Sequence, residues 1–281
     1  MGRRLGQHFL SDPGILDRIV DALDPKPDDR VIEIGPGKGT LTRRLARRVG
    51  RVVAIEKDEE LARELGEKGK GNGERDNPWG RVTVVAGDAL RANWHTLLEP
   101  TFPLSPFPFP PFAPFKIVGN IPYAITSPLI DKALTPPLPD SIVFLVQKEV
   151  ADRLTARPGG KTYGALTVGV QAVAKVERLF VVRAGSFRPP PEVESAVVRL
   201  TPLDEPIVKP SEVAGFRSFV TKLFGQRRKQ ISRSLRSAVG LERDDATSAA
   251  AAVGIDRTAR VEVMSPETLV NLYREVVSLT R

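Results

Sequence analysis

The sequence contains no cysteine and only two histidines, His8 and His95. Without thiols the chain can form no disulfide, no thiolate metal site and no cysteine nucleophile. Two histidines are too few for the multi-histidine sets that bind transition metals in many enzymes. We therefore predict that the protein uses no metal.

Long apolar runs are also missing, so no segment qualifies as a membrane span. The longest uncharged stretch, Pro100 to Phe115, has seven prolines, which favours an extended surface insertion over a helix. A docking peptide is the alternative interpretation of this segment. The first residues, MGRRLGQHFLSD, are basic but lack the apolar core of a secretion signal. We expect a protein that enters no membrane and acts in the cytoplasm, with an organellar location left open.

Acidic residues are outnumbered in this chain. The 42 Lys and Arg exceed the 34 Asp and Glu and give a net charge of +8. A basic excess favours a polyanionic partner such as nucleic acid, although many basic proteins bind none.

Five runs rich in Val and Ile alternate with helical patterns through the first part of the chain. Near-continuous apolar strands separated by helices are typical of a parallel sheet that is covered on both faces. Two further strand-like runs lie around VERLFVVRA and ESAVVRLTP. The pattern predicts a doubly wound α/β domain. The five runs are Arg30–Gly35, Arg51–Glu56, Arg81–Asp88, Phe115–Asn120 and Ser141–Gln147.

The end of the chain has a different pattern. From Pro210 onward only helical patterns occur, beginning at SEVAGFRSFVTKLF, RRKQISRSLRSAV, RDDATSAAAAV and SPETLVNLYREVV. Ser211 with Glu212 and Ser265 with Glu267 are predicted helix starts. We place the boundary within TPLDEP, which gives an α/β domain over 1–205 and a small all-helical domain over 206–281.

Polar residues follow three successive predicted strands. The loop EIGPGKGTLT brings Gly35, Gly37 and Gly39 to the turn between the first strand and its helix, where a ligand can approach the backbone. Glu56 ends the second strand, where a carboxylate can accept both hydroxyls of a ribose, and this position would equally suit NAD. Asp88 ends the third strand and can accept a hydrogen bond from the exocyclic amine of an adenine. Because such ends meet at one sheet edge, the ligand is predicted to be an adenosine without a pyrophosphate.

The fourth strand ends in Asn120-Ile-Pro-Tyr, an unusual combination for a strand end. The Asn120 amide and the Pro122 carbonyl can both accept from one flat exocyclic amine, and Tyr123 can stack on a base. The lone pair of adenine N6 is delocalised, and two acceptors outside the ring plane would favour a pyramidal nitrogen aimed at a sulfonium methyl. A β-turn with a buried ring is the alternative, which the glycine loop and the upstream acids disfavour.

These residues lie in blocks that resemble the ribosomal RNA adenine dimethylases of the KsgA type. The blocks follow the family's order over nearly the whole chain and include GQHFL, EIGPGKGTLT, AIEKD, GDAL, KIVGNIPYAITSPL, FLVQKEVADRL, FRPPPEVESAVVRL and FGQRRKQI. The resemblance implies a Rossmann-like, seven-stranded class I methyltransferase domain followed by a small helical domain. It also implies transfer of two methyls from S-adenosylmethionine to N6 of each of two adjacent adenosines near the 3′ end of small-subunit rRNA, by a monomer.

The resemblance also implies roles for individual residues. His8 and Leu10 would contact the cofactor, and His8 stands where bacterial members usually have Asn. Gly35 and Gly37 would lie at the methionine part of the cofactor and Glu56 at its ribose. Asp88 with Ala89 would lie at its adenine. Asn120 would serve catalysis and touch both the cofactor and the target amine, and Pro122 would also serve catalysis. Tyr123 and Phe187 would enclose a flipped base.

A basic segment precedes the last two helical patterns. From Arg217 to Arg236 there are seven basic residues and no acidic one, and on a helix Lys229, Arg233 and Arg236 would share one side. A solvated helix face is the alternative interpretation. Because the family's counterpart faces rRNA, we expect phosphate contacts from Arg227, Arg228, Lys229, Arg233 and Arg236.

Three other functions stay open from the sequence. An erythromycin-resistance methylase would use the same chemistry on large-subunit rRNA. A ribosome-assembly or mitochondrial transcription factor would keep the fold without needing catalysis. An NAD-dependent dehydrogenase would account for Glu56 but leaves Asp88 and Asn120 unexplained.

Overall fold

The computed structural model describes residues 8–69, 77–98 and 114–280. The Pro/Phe-rich stretch predicted as a surface insertion lies almost entirely outside these ranges. Contacts between residues divide the chain into two compact units. The first comprises 1–151 and 177–201, and the second comprises 152–176 and 202–281.

Nine strands occur in the described residues. They are β1 (Phe9–Leu10), β2 (Arg30–Ile34), β3 (Arg51–Glu56), β4 (Val82–Ala86), β5 (Phe115–Asn120), β6 (Ser141–Gln147), β7 (Ala174–Val182), β8 (Phe187–Arg188) and β9 (Ser195–Pro202).

Seven of these strands form one sheet in the order β4-β3-β2-β5-β6-β9-β7. The five strands from β4 to β6 are parallel to their neighbours, and β9 pairs antiparallel with β6. Successive residues of β2, β3, β5 and β6 are buried, so both faces of the sheet are covered. The predicted seven-stranded α/β domain is confirmed, and all seven predicted strands are found.

Eleven α-helices occur in the described residues. They are α1 (Pro13–Ala22), α2 (Thr40–Leu45), α3 (Glu59–Gly69), α4 (Trp94–Leu98), α5 (Thr126–Ala133), α6 (Lys148–Leu154), α7 (Ala165–Gln171), α8 (Val213–Phe224), α9 (Ile231–Ser234), α10 (Arg243–Ala252) and α11 (Pro266–Leu279). A π-helical turn at Leu235–Val239 continues α9, and single 3-10 turns lie at Pro78–Arg81, Tyr123–Ile125, Ala184–Ser186, Pro210–Glu212 and Val261–Val263. None of these helices is long and apolar enough to cross a membrane.

Capping residues explain where two of the helices begin. The Asp12 carboxylate accepts from the Ile15 N–H ahead of α1, and the Ser265 hydroxyl accepts from the Thr268 N–H ahead of α11. In both helices a proline follows the cap, where its missing N–H costs no helix hydrogen bond. The helix start predicted at Ser265 is confirmed, whereas Ser211 lies inside the 3-10 turn Pro210–Glu212 and caps no helix.

The second unit is built mainly of helices. Tyr163 is fully buried and its hydroxyl donates to the Met264 carbonyl at 2.7 Å, which joins the segment before α7 to the chain before α11. This explains why 152–176 groups with the end of the chain. The division into domains 1–205 and 206–281 stays a prediction. The contacts group 152–176 with 202–281, and a single cut at 205 does not reproduce this grouping.

The helix start predicted at Arg227 is also wrong. The pattern RRKQISRSLRSAV predicts a helix from Arg227, but α9 begins at Ile231. The Ile231 N–H donates to the Ala259 carbonyl at 2.7 Å, and Gln230 forms a bridge with Arg260. Pairing with this distant segment replaces the first helical turn, and sequence periodicity does not show such pairing.

Candidate active site

The candidate site lies at the carboxyl ends of four neighbouring parallel strands. In the order β4-β3-β2-β5, β4 is followed by Asp88, β3 ends in Glu56, β2 is followed by the glycine loop, and β5 ends in Asn120. The structure therefore brings the predicted polar residues to one edge of the sheet, where ligands of such folds bind.

The glycine loop between β2 and α2 needs glycine for two reasons. Gly37 and Gly39 have φ angles of 55° and 77°, in the left-handed region that disfavours side chains. A Cβ on Gly37 would also lie 2.9 Å from the Phe9 ring, and one on Gly39 would lie 2.5 Å from Leu65. Both positions therefore require glycine, for the backbone conformation and for the packing of Phe9 and Leu65 against the loop.

Glu56 is fixed by main-chain donors. Its two carboxylate oxygens accept from the N–H groups of Gly37 at 3.0 Å and Asp58 at 2.9 Å, and the residue is 4% exposed. A carboxylate offers about four lone-pair positions, so about two stay available after these bonds. This number matches the two hydroxyls of a ribose.

Asp88 is fixed differently, by one main-chain and one side-chain donor. Its Oδ1 accepts from the Leu90 N–H at 2.9 Å, and its Oδ2 forms an ion pair with the Lys57 ammonium at 3.0 Å. The Leu90 N–H and the Lys57 ammonium hold the pKa of Asp88 below its usual value. The neighbouring Ala89 is buried, and its carbonyl accepts from the Trp94 indole N–H at 2.8 Å. The Asp88 carboxylate is thus ionised and can accept a further hydrogen bond.

Asn120 is the last residue of β5, and its amide is anchored. The amide Nδ2 donates to the His8 carbonyl at 3.0 Å. The His8 side chain in turn contacts the residue after β8, since its Nδ1 is 2.9 Å from the Pro189 carbonyl. The structure therefore places His8 beside the predicted catalytic amide.

The Pro122 carbonyl does not match its predicted role. It accepts from the Ile125 N–H at 3.1 Å and from the Thr126 hydroxyl at 3.3 Å. These donors occupy both lone pairs, because the chain turns into a 3-10 turn directly after Pro122. Expecting this carbonyl to bind a target amine overlooked the local turn.

The two predicted aromatic residues differ in what the structure describes. The Tyr123 side chain lies outside the described part of the molecule, so its stacking role stays a prediction. Phe187 is 1% exposed and packs in the core with Leu10, which is 7% exposed. With its ring buried, Phe187 can stack on a base only after the ring becomes accessible, and Leu10 is a core residue at the rim of the site.

The predicted RNA-binding residues divide into two groups. The Arg227 guanidinium donates to the carbonyls of Gly160 and Lys161 at 2.9 and 3.0 Å, so it stabilises a loop within its own unit. The other four side chains are exposed: Arg228, Lys229, Arg233 and Arg236. Lys229 precedes α9 and does not share a helix face with the two arginines, although its ammonium lies 3.5 Å from the Ser237 hydroxyl.

Three residues near the site were missed from the sequence. Phe9 packs against the glycine loop, Lys57 pairs with Asp88, and Glu33 is a carboxyl buried inside β2. Glu33 carried a signal, because an acid inside the apolar run RVIEIG has to be buried. Phe9 and Lys57 carried none, since their contacts depend on the fold. Within the described ranges, no three His, Cys, Asp or Glu side chains are grouped so that they could hold a metal ion.

Comparison with known proteins identifies the family. The family model described as ribosomal RNA adenine dimethylase matches residues 2–277. The chain belongs to this family. The proteins named ribosomal RNA small subunit methyltransferase A from Geobacter metallireducens and Xanthomonas campestris pv. campestris are each 39% identical to it. These matches cover 99% of this chain and 96% of the first relative, and 96% of this chain and 95% of the second.

Solved structures of two related proteins share the fold. A dimethyladenosine transferase from Plasmodium falciparum is 25% identical with a TM-score of 0.78, covering 94% of this chain and 96% of that one. The 23S rRNA methyltransferase ErmE is 31% identical with a TM-score of 0.69, covering 96% of this chain and 99% of that one. As a ribosomal RNA adenine dimethylase by family, the protein is a methyltransferase that uses S-adenosylmethionine.

Proposed function

We propose that this ribosomal RNA adenine dimethylase methylates N6 of two adjacent adenosines near the 3′ end of small-subunit rRNA, twice each. The observation that carries the proposal is the anchored Asn120 amide at the end of β5, on the same sheet edge as Glu56 and Asp88. The named small-subunit relatives, 39% identical over nearly the whole chain, support the choice of substrate.

The residues at this edge fit S-adenosylmethionine. Glu56 would accept from the ribose hydroxyls with the lone pairs that Gly37 and Asp58 leave unused. Asp88 would accept from the adenine amine, and the backbone at Gly35 and Gly37 would lie along the methionine part. When bound, the cofactor supplies a methyl group activated by its sulfonium.

The chain's own contribution to the reaction is to orient the target amine. Asn120 Oδ1 would accept a hydrogen bond from one N6–H, which draws the nitrogen toward a pyramidal shape and exposes its lone pair. The Ile121 carbonyl would be the second acceptor, in place of Pro122, because no described residue donates a hydrogen bond to it. The N6 proton that each methylation displaces would pass to solvent, so no side chain has to act as a strong base.

Access to N6 requires that the adenosine leave its stack. Tyr123 would supply a stacking face for the flipped base, and Phe187 would supply a second face once its buried ring becomes accessible. The exposed side chains of Arg228, Lys229, Arg233 and Arg236 would contact phosphates of the same subunit. The protein would act as a monomer in the compartment where small subunits are assembled, the cytoplasm or an organelle.

Methylation of purified subunits tests this function. The protein is incubated with methyl-labelled S-adenosylmethionine and undermethylated small subunits or large subunits, and the modified nucleotides are located by mass. We expect dimethyladenosine at two adjacent positions of small-subunit rRNA, and label at least about 10²-fold slower with Asn120→Ala, the matched control variant. Label in large subunits would instead assign the activity of ErmE-type enzymes. Subunit binding without any label would indicate a factor that has lost catalysis.

A further inference from the structure

The orientation of the Asn120 amide is set by chemistry. The amide atom 3.0 Å from the His8 carbonyl must be Nδ2, because a carbonyl oxygen only accepts hydrogen bonds. Oδ1 is therefore the atom that stays available to accept from a ligand. The His8 carbonyl thus decides which end of the amide a target amine meets.

The His8 carbonyl is itself held by two short paired segments. In β1 and β8, Phe9 pairs with Arg188 and Leu10 pairs with Phe187. Beyond each end of this pairing there is one more bond: His8 Nδ1 lies 2.9 Å from the Pro189 carbonyl, and the Ser11 N–H donates to the Ser186 carbonyl at 2.9 Å. We call residues 8–11 and 186–189 the clasp.

Packing stabilises the clasp. Two strands of two residues each are too short to be stable by themselves. The paired side chains of Leu10 and Phe187 are 7% and 1% exposed and belong to the core beneath α1 and the sheet. The hydrophobic core therefore holds β1 and β8 together, and the contact between His8 Nδ1 and the Pro189 carbonyl holds the end of the clasp that carries the His8 carbonyl.

We propose that the clasp orients the Asn120 amide through the His8 carbonyl, and that His8 is a positioning residue for methyl transfer. This inference rests on the proposed role of Asn120 as an acceptor. The last torsion of an Asn side chain is broad and nearly two-fold, so an unanchored amide turns over readily. A turned amide would present its NH2 group to the target amine, and two donors cannot bond to each other.

The His8 side chain can be altered without touching its carbonyl. Because the Pro189 carbonyl only accepts, Nδ1 of His8 must carry the proton. In His8→Asn the amide nitrogen occupies the same position along the side chain and can donate in the same way. His8→Asp offers only acceptors at neutral pH, and His8→Ala offers nothing. The three variants therefore differ in whether the side chain at position 8 can donate a hydrogen bond to the Pro189 carbonyl.

Rates at saturating cofactor and subunit separate this role from others. We expect the kcat of His8→Asp and His8→Ala to fall on the order of 10-fold to 10²-fold, with a much smaller loss in His8→Asn, because small displacements of a reacting group cost this much. A role limited to cofactor binding would raise KM for the cofactor and leave kcat. A merely structural role would lower the midpoint of unfolding and leave the kcat of the folded protein. Either result would overturn the proposal.

Asn120→Asp provides a second test from the other side of the contact. The substitution keeps acceptor oxygens at the site but removes the donor to the His8 carbonyl. We expect its kcat to fall nearly as far as that of Asn120→Ala, on the order of 10²-fold. A variant that keeps more than about a tenth of the wild-type kcat would show that the anchor is dispensable.

An observation that requires no activity completes the test. The chain has five Asn and five Gln, so the side-chain amide signals of the 15N-labelled protein can be assigned one by one. We expect the Asn120 amide protons to exchange slowly in the wild type and in His8→Asn, and at least about ten-fold faster in His8→Asp and His8→Ala. Equal exchange in all four proteins would overturn the clasp. If the wild type methylates no subunit, the proposed function fails, and these exchange rates still decide the clasp.

Discussion

Two polar regions of this protein are built in opposite ways. At the carboxyl ends of β2 to β5, Glu56 is 4% exposed and is bonded to two main-chain N–H groups. Between 227 and 236, four of the five basic side chains proposed to contact RNA are exposed. Removing one partner of a buried polar contact leaves the other unsatisfied, whereas an exposed charge is screened by salt. Substitutions in the first region should therefore have large and specific effects, and substitutions in the second should have small effects that depend on salt.

The largest expected effect is on the rate, at Asn120. Asn120→Ala removes the proposed acceptor where the transition state needs it, so we expect kcat to fall on the order of 10²-fold to 10³-fold. Single-turnover methylation of small subunits measures this, and unchanged cofactor binding by calorimetry is the control. Methylation at near wild-type rate would contradict the assignment.

The next effect concerns the stability of the buried sheet. Burial raises the pKa of Glu33 to about 8, opposed by the nearby Thr42 hydroxyl and helped by the nearby Glu56 carboxylate. The cross-strand neighbours of Glu33 are Ala54 and Val118, which offer the charged form no stabilisation. The native protein therefore keeps Glu33 protonated at pH values where the unfolded chain, with a pKa of about 4.3, has lost this proton.

The sign of the pH effect follows from this difference. Because the native state binds one proton more, the contribution of Glu33 is fully present below about pH 4.3, and stability falls by up to about 1.4 kcal/mol per pH unit as pH rises toward the native pKa. Glu33→Gln removes this loss. We expect the stability of the variant relative to the wild type, from urea unfolding, to increase between pH 5 and 8. A difference that does not change with pH would show that Glu33 is ionised in the native state.

The sequence predicts the sheet well because the buried strands differ in composition from the segments around them. Runs such as RVVAIE are rich in β-branched residues that pack on both faces, and β3 has the predicted bounds Arg51–Glu56. Since parallel strands in a doubly wound sheet end at one edge, the placement of Glu56, Asp88 and Asn120 follows from the same pattern.

The parts that could not be predicted depend on contacts distant in sequence or on local turns. β1 and β8 have two residues each, too few for any periodicity, and they pair across nearly 180 positions. The hydrogen bonds that occupy the Pro122 carbonyl come from a turn that the motif alone does not reveal. The burial of Phe187 follows from its pairing with Leu10, which again requires the fold.

Glu56 and Asp88 allow a comparison within the site. Replacing either with Ala should weaken cofactor binding by roughly 1–3 kcal/mol. We expect Glu56→Ala to lie at the upper end because it leaves the buried N–H groups of Gly37 and Asp58 without an acceptor. Asp88→Ala should lie at the lower end, since its Lys57 partner is 60% exposed and can be solvated. Calorimetric titration measures both, and a larger loss for Asp88 would reverse the ranking.

The smallest effects are expected in the basic segment. Arg228 and Lys229 are exposed, so reversing both charges should leave fold and cofactor affinity intact. The matched control reverses two exposed arginines of the same unit outside the segment, Arg243 and Arg257, and changes the net charge equally. A general charge effect would act alike in the two double variants, whereas phosphate contacts would act only in the first.

Binding isotherms at several salt concentrations distinguish these outcomes. Each phosphate contact releases counterions, so losing one should make the negative slope of log K against log salt shallower by roughly 0.7–0.9. We expect Arg228→Glu with Lys229→Glu to flatten the slope by one or two such steps for every RNA tested, because phosphates carry no sequence information. An unchanged slope, or an equal change in the Arg243 and Arg257 control, would mean that the basic segment is solvated surface, and RNA contacts would then have to come from residues that the sequence does not single out.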